Sequence, residues 1–524
     1  MAWTRFSATP FDFHAVRSEF HLRENFTPAA LSEAEAAADR HESERKDHTD
    51  IPLVTIDPPG SMDLDQAVHI ERHTTGFVVH YAIADVGAIV EPGGALDSET
   101  RERGQTFYLP DGSVPLHPRV LSEGSGSLLP NEIRPAALWR IELDDNGEPV
   151  AWTVTRATVR SVARLDYAGV HASFDTGTPH PSIAALAEFG ALRAHAAVRR
   201  GAIDITLPEQ EVVADGHSWR IELQARTDVD AWNAEISLLT GMCAARIMID
   251  AGIGLLRTLP PASSDAVATL KKNATMLGIQ WPEGASAGAV LAGLPSDAPE
   301  TLAMMTQATG LLRGADYAAF DGALPEQIEH SGIAAPYAHV TAPLRRLSDR
   351  FATEVCLAVV AGAEVPAWAR SALPDLPAVM RGSDSAASKV DRACIDLTEA
   401  AVLESRVGEP FSALVLRGAE AKRAAEVFLD SPIVIGKCTG EPPRGGEGDG
   451  DLDRRRPRLP PGGIRLFTRV RLQRSEANRS VASTSRSMMP GSAAECPASS
   501  TIFSSALGHA LWSSHALVAG HTTS

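Results

Sequence analysis

Residues 51–90 constrain the fold most. IPLVTID, residues 51–57, runs from apolar positions into an acidic end, and QAVHIERHTTGFVVHYAIADVGAIV, residues 66–90, reads as two strands on either side of Thr75-Gly76. Strand patterning around such a turn predicts a hairpin. Further strands are predicted over 138–143 and 152–159. The stretches 182–200, 232–251 and 343–361 instead carry apolar stripes at three- and four-residue steps, which predicts helices. No internal repeat is visible. The body from 51 to 406 is therefore read as one mixed domain of the α+β class.

The flanks differ in texture. In residues 1–50, Phe13, Val16 and Phe20 recur at helical spacing, and Thr27-Pro28 reads as an N-cap followed by an N1 proline. Two short helices are expected there, as an arm or one small module, since an independent domain usually needs more than about 40 residues. Residues 407–442 resemble the first strands of a small barrel. After Pro442 the periodicity stops, and 443–524 is rich first in Gly, Arg and Asp and then in Ser, Ala and Thr. Such a segment buries too little apolar surface to offset chain entropy, so it is expected to be disordered, and we read it as an out-of-frame extension of a truncated barrel.

Composition narrows the function classes. Lys and Arg total 48 against 66 Asp and Glu, a formal charge of −18, so a nucleic-acid partner needs a local basic channel or metal ions. The five cysteines, Cys243, Cys356, Cys394, Cys438 and Cys496, form no Cys-x-x-Cys pair, which disfavours a zinc knuckle or a disulfide scaffold. No apolar run reaches the roughly 18 residues of a bilayer span. A cytoplasmic monomer with no membrane partner is the expectation.

Two stretches carry chemistry. TIDPPGSMDLDQA, residues 55–67, sets Asp57, Asp63 and Asp65 around a Pro-Pro-Gly turn. If 63–65 is extended, both carboxylates share a face and Leu64 takes the other. Three hard oxygen donors suit Mg²⁺ or Mn²⁺, which can activate water in phosphodiester hydrolysis. A solvated, capped turn is the plainer alternative. The second stretch, YAHVTAPLRRLSDRFATEV, residues 337–355, reads as a helix with Thr341 as N-cap, Pro343 near N1 and a buried stripe of Leu344, Leu347, Phe351 and Val355. Arg345 and Arg346 then occupy the first turn, the wrong end of the dipole for cations. Either a bound anion or an intrahelical pair between Arg345 and Asp349 would relieve them. His339 alone reads as a hydrogen-bonded histidine rather than a metal ligand.

Together these stretches resemble the RNB family, the catalytic domain of ribonuclease II and ribonuclease R. The resemblance runs from about Ile51 to Gly408 and rests on ordered motifs. After TIDPPGSMDLDQA come YAIADV (81–86), FYLPDGSVPLHPRVLS (107–122), SLLPNEIRPAALWRIELD (127–144), NAEISLLTGMCAARIM (233–248), LLRGADY (311–317) and HSGIAAPYAHVTAPLRRLSD (330–349). It implies an RNB catalytic fold, a mixed sheet surrounded by helices, with a helical arm before it and a partial S1-like OB barrel after it. It further implies a processive 3′-to-5′ exoribonuclease that takes single-stranded RNA 3′ end first and releases nucleoside 5′-monophosphates with Mg²⁺.

By the same resemblance Asp63, Asp65 and Arg345 are the catalytic set, and Asp57, Asp63, Asp65 and Gln66 the metal set. Tyr108, Asn131, Glu132, Glu235, Arg346 and His339 are the expected RNA contacts. The chain departs from the family pattern at Gln66, where a fourth aspartate is usual, and at Leu347, where a tyrosine commonly follows the two arginines. Residues 1–50 also have no room for the two N-terminal cold-shock barrels of long members. An RNA-binding protein with a degenerate active site is thus the alternative to an enzyme. A phosphatase or nuclease of unrelated fold has no support beyond Asp-x-Asp.

Overall fold

The computed structural model describes residues 11–404 apart from 217, 296 and 297, together with residue 406 and the segments 410–417, 424–430, 433–438, 467–471 and 502–504. Two short helices come first, α1 (His14–Glu19) and α2 (Pro28–Glu35), the second capped by the Thr27 side chain accepting from Ala30 N–H. The strands that frame the molecule follow: β1 (Lys46–Asp47), β2 (Leu53–Ile56), β3 (Gln66–His73), β4 (Gly76–Ala84), β5 (Phe107–Leu109), β6 (Gly112–Val114), β7 (Ile133–Leu143) and β8 (Pro149–Leu165). Six of them form one sheet in the order β1-β8-β2-β3-β4-β7, and β7 also pairs with β8, so the sheet closes on itself.

The expected hairpin is β3–β4, with His73 opposite Gly76. Gly76 has φ +120°, and a Cβ there would lie 2.2 Å from the Leu143 carbonyl oxygen, so the turn requires glycine. β4 is buried on both faces. Phe77, Val79, Tyr81 and Ile83 join one apolar cluster, while Ala82 and Ala84 join another. The first cluster also takes residues of α6 (Leu186–Arg200), α7 (Asp228–Ala251) and the helix Leu347–Val360; the second takes Ala30 and Ala34 of α2 and Leu96 of α4 (Ala95–Arg103). The remaining helices of this part, α3 (Val86–Ile89) and α5 (Tyr167–Asp175), follow β4 and β8 directly. The mixed α and β class expected from the sequence is the one observed.

Several predicted elements change their limits. Strands expected over 138–143 and 152–159 extend to 133–143 and 149–165, because β8 must reach β1, β2 and β7 to close the sheet. The helix expected from 232 starts at Asp228, where Thr227 and Asp230 form a reciprocal capping box. The helix expected from 343 starts only at Leu347. Towards the C-terminus, Pro410–Arg417, Ala425–Asp430 and Ile433–Cys438 form an antiparallel set, extended by Phe467–Arg471 and Ile502–Ser504. Those last two strands fall within the segment expected to be disordered; the rest of 443–524 lies outside the described residues, and so does the question of its reading frame.

Buried charge ties the layers together. Arg156 of β8 meets Asp85 at 2.5 Å and Glu354 of the helix Leu347–Val360 at 2.7 Å; Arg45 meets Asp85 at 2.9 Å and also pairs with Asp39. Asp85, Glu354 and Arg156 are each less than a tenth exposed. Removing one partner of such a group strands the others in low dielectric. Arg156→Met is therefore expected to cost about 3–5 kcal/mol, read as a fall in denaturant midpoint at constant slope. A loss below ~1 kcal/mol would mean that the two carboxylates find other partners.

Two buried histidines add a pH dependence. His117 Nδ1 donates to the Leu344 carbonyl at 3.0 Å while its Nε2 has no partner, and burial pushes its pKa down to about 4. Burial also lowers His330 to about 4, helped by the Arg257 charge. As pH falls below the ordinary value of 6.5, the unfolded chain gains protons that the fold refuses. The stability held by each group is complete above that value and is lost towards about 4, at up to about 1.4 kcal/mol per pH unit. His117→Leu should flatten the slope of stability against pH over this window by about that amount, measured by urea titration at a series of pH values.

Candidate active site

β2 and β8 run parallel and end together, and the acidic loop begins at that end: Asp57 N–H donates to the Leu165 carbonyl at 3.1 Å. Pro58, Pro59 and Gly60 then reverse the chain, with Gly60 at φ +84°. Beyond the turn, Leu64 is wholly buried and locked by its backbone to Ser127 Oγ at 3.0 Å and to Leu128 N–H at 3.0 Å. That anchor fixes which way the two flanking aspartates point. Asp63 Oδ2 accepts the Tyr108 hydroxyl at 2.8 Å. Asp65, 1% exposed, accepts Leu344 N–H through Oδ1 at 2.7 Å and meets Arg345 Nε through Oδ2 at 3.0 Å.

Arg345 arrives on a turn, not on a helix. The Arg345 carbonyl accepts Thr106 N–H at 2.9 Å, Arg346 is extended and bridges Gln105, and Leu347 N–H donates to the Gly104 carbonyl at 2.9 Å. These backbone bonds to 104–106 hold 345–346 out of helical geometry, so the expected N-cap at Thr341 and the dipole penalty on the arginines do not apply. The expected pair between Arg345 and Asp349 also gives way. Arg346 takes Asp349 through Nε at 2.6 Å and Nη2 at 2.7 Å, and Asp349 further accepts Ala342 N–H at 2.8 Å. Arg345 is thereby directed to Asp65. The approach is close on the other side too: a Cβ on Gly241 of α7 would meet the Tyr337 ring at 2.2 Å.

The electrostatics follow from this arrangement. The Arg345 guanidinium is held further towards its charged form, against its burial, by Asp65, Tyr108, Asp63 and Asp57. Burial pushes Asp65 up to about 8, opposed by Arg345 and the Leu344 N–H and assisted by Asp63. Burial likewise raises Asp57 to about 7, with Arg345 and Arg164 opposing and Asp63 assisting. Like charges and burial thus hold two carboxyls near neutral pH, a combination typical of functional sites.

Among the described residues no three His, Cys, Asp or Glu side chains stand gathered as a metal-binding group. The three expected ligands are turned towards separate partners, with Arg345 acting on all of them. Their chemistry nonetheless fits a hard divalent cation. Asp65 Oδ2 is buried and meets the Arg345 charge without a hydrogen bond, and burial raises the Asp57 and Asp65 carboxyls, a cost that a cation among them would relieve.

The other expected residues are placed unevenly. Gln66, expected as a metal ligand, gives its amide nitrogen to the Thr341 carbonyl at 2.6 Å. Asn131 and Glu132 are exposed; Asn131 has φ +65° and donates its N–H to Ser161 O, and Glu132 pairs with Arg134 at 3.4 Å. Glu235 turns to fully buried Arg193 of α6 at 3.5 Å, and the charges acting most on it are Arg193, Arg200, Asp204 and Arg226 rather than the acidic loop. Arg346 is engaged by Asp349, as described. His339 takes the Tyr317 hydroxyl at 2.7 Å and packs edge-on against Tyr317 and Tyr337, a hydrogen-bonded histidine as its sequence context suggested.

Sequence reasoning missed several neighbours. Arg164 Nη1 donates to the Ser61 carbonyl at 3.0 Å and acts on Asp57. Tyr167 accepts Asn233 Nδ2 at 3.1 Å and Tyr81 lies 2.9 Å from Ser237 Oγ; Asp57 acts on both tyrosines, which burial pushes up. The chain has only five tyrosines, and three of them, Tyr81, Tyr108 and Tyr167, surround the acidic loop. Their scarcity was a signal available in the sequence.

The chain is similar to known proteins in sequence and in fold. Ribonuclease R of Escherichia coli is 31% identical over 322 residues, 58% of this chain and 39% of that protein. Exoribonuclease 2 of Vibrio vulnificus is 32% identical over 248 residues, 45% of this chain and 36% of that protein. The chain therefore spans about two fifths of the length of the curated relatives it matches. Among solved structures, Mycoplasma genitalium RNase R in complex with ribose-methylated single-stranded RNA superposes with a TM-score of 0.73 at 21% identity, over 81% of this chain and 69% of that one. Yeast Ssd1, described as a pseudonuclease, superposes with a TM-score of 0.59 at 16% identity, over 82% of this chain and 52% of that one. The family model described as RNB domain matches residues 45–361, more than half of the sequence and the whole of the site described above. The chain belongs to the RNB-domain family.

Proposed function

We propose that this protein is a 3′-to-5′ exoribonuclease that hydrolyses single-stranded RNA to nucleoside 5′-monophosphates with Mg²⁺. The observation that carries this reading is the arginine turn: Arg345 is presented against buried Asp65, beside Asp57 and Asp63, by backbone bonds that leave its side chain directed at the acidic loop. A planar guanidinium can hold two oxygens of one phosphate, and here its negative partners are already in place to be exchanged for substrate. Mg²⁺ held by Asp57, Asp63 and Asp65 would supply the positive charge that activates the attacking water.

The residues themselves do the rest. Asp65 fixes the Arg345 turn through Leu344 N–H, so the cation that faces the scissile phosphate is preorganised. Tyr108, anchored through its hydroxyl to Asp63, presents a fixed ring on which any base can stack, as a sequence-tolerant enzyme needs. Among the described residues no helix is long and apolar enough to cross a membrane.

A second reading, an RNA-binding protein without turnover, is favoured by one observation: Gln66 stands where a fourth carboxylate is expected, and its amide nitrogen donates to a backbone carbonyl. One experiment separates the two readings. Purified protein with 5′-labelled single-stranded RNA should, with Mg²⁺, accumulate a short labelled end product and free 5′-monophosphates, and should do neither in EDTA. Intact RNA with a retained gel shift would establish the binder. Asp65→Asn keeps the acceptor for Leu344 N–H but removes the charge facing Arg345. It should lower turnover by about a hundred- to a thousandfold, with RNA affinity by gel shift largely kept. Near-normal cleavage by this variant would remove Asp65 from the mechanism.

A further inference from the structure

Gln66 opens β3 opposite Ile83, so its backbone is fixed by the sheet. Its side chain reaches across to the turn that carries Arg345, where its amide nitrogen lies 2.6 Å from the Thr341 carbonyl oxygen. A carbonyl only accepts, so the nitrogen end of the amide must face it. The adjacent residue, Asp65, grips the same turn at Leu344 N–H, and Asp349 grips it at Ala342 N–H. Three side chains thus hold the stretch 341–344, at Thr341, Ala342 and Leu344, immediately before Arg345. Gln66 is the only one of the three that donates, and the Thr341 carbonyl could not be satisfied by a carboxylate.

We infer that Gln66 is a positioning residue that ties the acidic loop to the Arg345 turn through its amide nitrogen. An aspartate at 66 would turn a negative oxygen towards the Thr341 carbonyl and would loosen the turn. The chain carries a tie at this position, and the orientation of Arg345 towards the scissile phosphate depends on it. This assignment rests on the proposed nuclease function for its catalytic consequence, but the tie itself is a property of the free protein.

The test uses the full-length chain with Gln66→Met, which keeps bulk without a donor, Gln66→Glu, which replaces the donor by an acceptor, and Gln66→Asp. In free protein, amide exchange at Leu344, Arg345 and Arg346 should quicken by roughly tenfold in all three, the effect of losing one hydrogen bond. With labelled RNA, kcat should fall by a similar factor while KM stays within about twofold, and the Mg²⁺ concentration giving half-maximal rate should not move. Unchanged exchange in Gln66→Met would overturn the tie. A higher kcat, or a lower Mg²⁺ requirement, in Gln66→Asp would overturn it in favour of a ligand position. If the wild-type chain does not cleave RNA at all, the nuclease reading fails, and the exchange rates alone still decide whether the tie exists.

Discussion

The site depends on one buried ion pair. Three aspartates within nine residues repel one another unless a cation stands among them, and burial makes their charge more costly still. Arg345, meeting Asp65 at 3.0 Å and acting on Asp57 and Asp63, is that cation in the protein alone. Such a pair is seldom a net source of stability, because desolvation offsets most of the attraction. Its persistence in the interior, with two carboxyls raised to about 7 and about 8, identifies a corner organised for charge rather than for packing.

The closed sheet makes that corner possible. β2 and β8 end side by side, which delivers Asp57 next to the segment that carries Arg164 and Tyr167. Leu64, buried between the two downstream aspartates, sets their direction. The arginine turn comes from almost 280 residues away and is fixed by backbone bonds to 104–106, the stretch just before Tyr108. Hairpin, acidic loop and arginine turn therefore form one hydrogen-bonded unit. The buried Arg156, Asp85 and Glu354 set then binds the helix behind the turn to the sheet.

Local rules made much of this legible. The β3–β4 hairpin was evident from strand patterning around Thr75-Gly76, and the cap of α2 from Thr27-Pro28. The grouping of Asp57, Asp63 and Asp65 was evident from the turn between them, although the structure turns them to separate partners. Elements set by distant contacts were not legible. Nothing local shows that Arg345 and Arg346 would pair with 104–106 and delay the helix to Leu347, because residues 343–361 satisfy helical periodicity perfectly well. Nor does the sequence say which arginine takes Asp349; only the geometry of the turn decides for Arg346. The tie made by Gln66 was not legible either, because its partner, a backbone carbonyl, carries no side-chain signal at all.

The most direct test of this account is the metal-free stability of Arg345→Met against wild type as a function of pH. Asp57 and Asp65 bind protons more tightly in the fold than at the ordinary value of 3.8, so these groups lower stability as pH rises towards about 7 and about 8. Arg345 moderates that loss by favouring the charged forms. The gap between wild type and variant should be small near pH ~5 and should widen by about 2 kcal/mol or more by pH ~9. A gap that is the same at both ends would show that Arg345 is not the cation on which the aspartates depend.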